Sequence, residues 1–112
     1  MRKLNGIVLE ACQRHQEAIA HFEHGATLFH ELKNAQGEAL CNLSIGYMKF
    51  KHISILRKGR PAIIVYRECK ERIMRAINFF RTASHFYGLS IGYRFLAQIK
   101  KALNENFQAD LS

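Results

Sequence analysis

The chain has 112 residues, 48% of them hydrophobic and 23% charged, with a formal net charge of +8. A single domain of this size can bury roughly 65% of the surface that its unfolded chain exposes, and the composition is that of a globular chain, not a disordered one. No apolar run approaches the roughly 18 residues of a membrane span, and Glu10, Gln13 and Arg14 interrupt the N-terminal apolar stretch too early for a secretory leader.

Apolar residues recur at helical spacing almost throughout. Leu4, Ile7, Val8 and Ala11 mark a first helical face. The polar residues 13–15 read as a break. Ala18, Ile19, Phe22, Ala26 and Phe29 predict a second helix over 16–32, and residues 33–37 read as a turn. Leu40, Leu43, Ile45, Tyr47 and Phe50 predict a helix from Glu38 to about Phe50. A fourth helix is expected to end near Tyr87, before Gly88. Phe95, Leu96, Ile99 and Leu103 predict a fifth over 90–106, solvated on its other face. The expectation is an all-α domain spanning 1–112, built of antiparallel helical hairpins.

A pattern recurs along these helices. Ala18, Phe22 and Gly25 are spaced like Ala76, Phe80 and Ala83: small, aromatic, small. The segment after the first pattern carries Gly37, Leu40, Leu43-Ser44 and Tyr47. Together these resemble the tetratricopeptide repeat, in the variant with a longer loop between repeats. About two and a half repeats are matched: the first about 2–34, the second about 37–87, and a capping helix about 90–106. Asn5 departs from the pattern, standing where the first repeat calls for a leucine. The physical reason for such a pattern is close packing. Small residues let two helices approach, and the aromatic fills the gap to the next hairpin.

Tyr47 and Ala76 lie 29 apart, where the family keeps about nine, so residues of about 52–71 read as an insertion. In one reading both helices run on by about 15 Å each, with Gly59 ending one and Pro61 opening the next. Ile63, Tyr66, Cys69, Ile73, Ala76 and Phe80 step by three and four in support. In the other reading, the β-branched residues 53–56 and 62–66 pair as a β-hairpin. The helical reading predicts a hairpin that projects past its neighbours. It would expose Ile53, Ile55, Leu56, Ile64 and Val65, with Arg57, Lys58 and Arg60 at the tip and Arg67 on the arm.

Charge is placed unevenly. Residues 1–40 carry four basic residues against five glutamates, whereas the span from Lys49 to Arg75 carries nine basic residues against Glu68 and Glu71. An acidic partner would be drawn to that span. The three cysteines, odd in number and widely spaced, read as free thiols of a reducing compartment, the cytoplasm or the nucleus.

Cys12 with His15, and His21 with His24, stand three apart, but a structural zinc site needs four ligands. Cys41, Cys69, His30, His52 and His85 are scattered. No nucleophile stands with a base and an orienting group, and residues 88–93 lack the strand and basic residue of a phosphate loop. No metal, cofactor or catalysis is expected.

The resemblance implies a binding protein whose groove is lined by the first helix of each hairpin. On this chain those positions are Lys3, Ile7, Cys41, Asn42, Ile45, Lys49, Ser90 and Tyr93. Family members that grip chaperone C-termini use a five-residue carboxylate clamp. Lys3 and Asn42 fall on two clamp positions, but Ile7, Phe86 and Ser90 fall on the others, so the clamp is not reproduced. The expected partner is a protein segment, extended or helical, carrying some acid. Two alternatives remain open: a nucleic-acid-binding repeat using residues 49–75, whose binding would fall steeply with salt, and a scaffold in which the projecting hairpin pairs with its copy.

Overall fold

The structure is a computed structural model that describes residues 2–111, with side chains described for 9–108. Four helices follow one another: α1 (Arg2–Glu31), α2 (Ala35–Leu56), α3 (Arg60–Thr82) and α4 (Phe86–Leu111). No strand occurs among the described residues, so the all-α expectation holds and the β-hairpin reading of 53–66 is replaced by helix. α1 packs on α2, α2 on α3 and α3 on α4, with a slight contact between α2 and α4. The result is an open row of helices measuring 46 × 30 × 19 Å.

Several boundaries differ from the sequence expectation. α1 runs unbroken through residues 13–15. Polar residues there do not stop a helix, because nothing in the stretch breaks the backbone; Gln13 and Arg14 bond Glu17 and Glu10 along the helix surface at 3.3 and 2.7 Å. The first repeat is therefore one long helix rather than a hairpin of two. α3 ends at Thr82, not near Tyr87, and α4 begins at Phe86, not Ser90.

Two of the three turns are built alike. In the first, Lys33 takes a left-handed φ of 58°, and the N–H groups of Asn34 and Lys33 donate back to Phe29 and His30 carbonyls at 2.8 and 3.1 Å. In the third, Ser84 takes φ 55°, and His85 and Ser84 donate to Phe80 and Arg81 at 2.8 and 3.2 Å. This is the Schellman closure of a helix C-terminus. The next helix is then capped in each case. Asn34 Oδ1 accepts from the Gly37 N–H and His85 Nδ1 from the Gly88 N–H, both at 2.9 Å. Each capped glycine lies flat against the ring of the preceding aromatic, Phe29 or Phe80.

The chain is thus a duplicated hairpin, α1–α2 and α3–α4. Positions 29, 33, 34 and 37 correspond to 80, 84, 85 and 88, a shift of 51. The sequence pairing of Phe22 with Phe80 is seven residues out of this register, and Ala83, expected to face inward, is exposed at the end of α3. Seven residues are close to two helical turns, so the displaced pattern falls on the same face. Glycines sit at the crossings: Gly25 against Cys41 in the first hairpin, Gly92 against Ile77 in the second, and Gly46 against Ile73 between them.

The core lies around α3. Phe80, Ile73 and Ala62 have no exposed surface, Ile77 and Tyr66 almost none, and Leu43, Phe50 and Ile99 meet them from α2 and α4. α1 is held by α2 and has no fully buried residue among those described.

Candidate functional site

The α2–α3 arm does not project. α1 and α4 are as long as the arms beside them, and the tip is tied down by the Gly59 N–H donating to Asn106 Oδ1 of α4 at 3.0 Å. Ile53 and Val65 pack against the core. Ile55, Arg57, Lys58, Arg60, Ile64 and Arg67 remain exposed. The neighbouring helices flank the arm: His15 of α1 meets His52 of α2, and Asn106 of α4 reaches the tip.

The expected groove is redistributed as well. Lys3 and Ile7 lie outside the residues whose side chains are described. Ile45 is 1% exposed and Cys41 is buried against Gly25, so neither can meet a partner. Lys49 is half-buried on α2. Ser90 and Tyr93 are exposed on α4, where Tyr93 Oη accepts from Arg81 Nη2 at 2.6 Å. Of the described residues among the eight, Asn42 lines a concavity.

That concavity lies between the first turns of α2 and the second half of α3, with a volume of about 300 Å³. Its floor is Ala35, Ala39, Ala76 and Phe79, and its polar rim is Glu38, Asn42, Arg72 and Arg75. Ala39 and Ala76 keep the floor low, since neither side chain reaches beyond Cβ. Arg72 Nη1 donates to Asn42 Oδ1 at 3.1 Å, which fixes the guanidinium at the rim. Arg75 is 3.9 Å from Glu71 and mostly exposed. A shallower depression continues across α2 onto α1, lined by Ala26, Thr27, His30, Glu38 and Asn42. His30 Nδ1 lies 3.2 Å from Glu38 Oε2, so the rim carries one carboxylate beside its two guanidiniums.

Sequence reasoning passed over Arg72 and Arg75 as site residues. They were legible only as members of the basic span. What selects them is the register of α3 on α2, which follows from Gly46 receiving Ile73.

Chemistry elsewhere is sparse. Among the described residues no group of three or more His, Cys, Asp or Glu is placed to hold a metal. Cys12, Cys41 and Cys69 are free, and burial pushes the Cys69 thiol up to about 11. His15 of α1 and His52 of α2 meet edge to face, ring centroids 6.0 Å apart, each with a buried Nδ1 that has no hydrogen-bond partner. Burial, with the charges of His52 and Lys51 beside it, holds His15 below its ordinary 6.5. Among the described residues no helix is long and apolar enough to cross a membrane.

No family model, curated protein or solved structure matches the chain.

Proposed function

We propose that the chain is a non-catalytic interaction module, a tetratricopeptide-like adaptor that takes an acidic protein segment in the groove between α2 and α3. The observation that carries this reading is the pairing of a low apolar floor with two arginines on one rim. A peptide or helix that sets an apolar side chain on Ala39, Ala76 and Phe79 brings a neighbouring carboxylate to Arg72 and Arg75. Arginine offers a planar fork that holds a carboxylate by two hydrogen bonds, and Asn42 already holds one side of the Arg72 fork in place. The duplicated hairpin with small residues at its crossings supports the likeness to a helical repeat; the single long α1 departs from it. The reading places the protein in the cytoplasm or nucleus.

The test is fluorescence anisotropy with a labelled amphipathic helical peptide bearing glutamates, beside the same peptide with lysines. The glutamate peptide binds and the lysine peptide does not. Arg72→Glu with Arg75→Glu weakens binding roughly a hundredfold, as loss of two charge-assisted contacts implies. Equal binding of both peptides, or binding of a random oligonucleotide in preference to either, overturns the reading.

A further inference from the structure

The duplication leaves each end of the row with an uncovered face, and the two faces are the halves of a contact that the molecule already makes. Internally, Gly46 of α2 receives Ile73 of α3, Asn42 is bonded by Arg72, and Ala35 and Ala39 line one concavity with Phe79 and Ala76. The shift of 51 carries the α2 half onto α4 as Ala97, Tyr93, Phe86 and Ser90. It carries the α3 half onto α1 as Phe22, His21, Leu28 and Gly25. Burial records what each end lacks. Ala39 and Gly46 are buried, whereas Ser90 and Ala97 are exposed; Cys69 and Ala76 are buried, whereas their α1 counterparts Ala18 and Gly25 are half-buried. Phe86 is 79% exposed and Leu28 45%.

We propose that the α4 face of one copy docks on the α1 face of another, repeating the α2–α3 contact between molecules. Continuity with that contact names the occupant as a second copy, and the side chains suit it. The shared geometry brings Phe86 and Leu28, two apolar groups that are otherwise wet, to the two sides of the corresponding concavity, where the Phe86 ring replaces the small Ala35 and fills the space. Ser90 and Ala97 meet Gly25 and Ala18, so the backbones can approach. Lys100 falls opposite Glu17, as Lys49 and Glu68 within the chain both lie close enough to act on the Cys69 thiol. Arg94 and Lys101 stand where α2 has the buried Leu43 and Phe50, so the contact between copies is thinner than the internal one and is made and broken with concentration. Its two faces differ, so association is head to tail and does not stop at two copies.

Sedimentation velocity from low micromolar to millimolar concentration tests this with two variants, Leu28→Glu on α1 and Phe86→Glu on α4. Both positions are exposed, and a glutamate in the first turn of α4 suits the helix dipole, so folding is preserved and circular dichroism checks it. The wild-type protein grows past a dimer as concentration rises. Each variant alone self-associates roughly tenfold more weakly, the loss of a central contact residue. The two variants mixed form a one-to-one pair and nothing larger, because each retains one sound face. A wild-type protein that stays monomeric, a wild-type dimer that grows no further, or variants that assemble like wild type overturns the proposal.

Discussion

Single residues set the spacing of the row. Gly88 lies so close to the Phe80 ring that an added Cβ would come within 2.6 Å of it, and Gly37 stands in the same relation to Phe29. Phe80 has no exposed surface to yield into, so Gly88→Ala forces α4 away from α3 despite alanine's better helix propensity. The expected cost is about 1–3 kcal/mol, read as a lower urea midpoint. Gly25→Ala is the control: its Cβ would sit 3.2 Å from Cys41 Sγ, a contact that a slight shift relieves, and the gain in helix propensity of up to about 1 kcal/mol offsets it. A larger loss for Gly25→Ala than for Gly88→Ala would contradict the packing described.

Among the described residues α1 packs on α2 and on no other helix, and the histidine pair lies on that contact. His15 is held below its ordinary 6.5, so the unfolded chain takes up a proton there more readily than the folded one. Stability is therefore fully present above the ordinary value and falls as pH drops through it toward the lowered one. Protection of the α1 amides, taken relative to the intrinsic exchange rate at each pH, is expected to fall as pH drops below the ordinary 6.5, and His15→Leu is expected to flatten that response; an unchanged pH profile in the variant removes the pair from the account. The same element shows how far the sequence could be read. Its heptad-like face, Phe22 and Phe29 included, identified the helix, but the polar residues 13–15 looked like a turn because solvent exposure and a chain break leave the same composition. The ends of α3 and α4 were misplaced for a related reason. Ser84 in a left-handed turn and His85 as a cap are not the residue types that usually advertise those roles, whereas Gly59 and Pro61 advertise a turn between α2 and α3. There α2 already ends at Leu56, and Gly59 caps the start of α3 where the helical reading has it ending α2.

At the scale of the molecule, the open row has two kinds of surface. The α2–α3 groove is internal to one chain and basic at its rim; the outer faces of α1 and α4 are its two ends. Asn42 was reachable from the sequence through the repeat resemblance, which counts positions along the first helix of a hairpin. Arg72 and Arg75 were not, because they come into place through the contact of two helices whose register no local pattern encodes. The groove, rather than the exposed tip at Arg57, Lys58 and Arg60, is where an acidic segment is expected to bind. Titrating the glutamate-bearing helical peptide into isotopically labelled protein and following backbone amide shifts tests this most directly. The account predicts that the largest changes fall on Ala39, Asn42, Arg72, Arg75, Ala76 and Phe79. Changes centred on residues 55–60, or no localised change at saturating peptide, would contradict it.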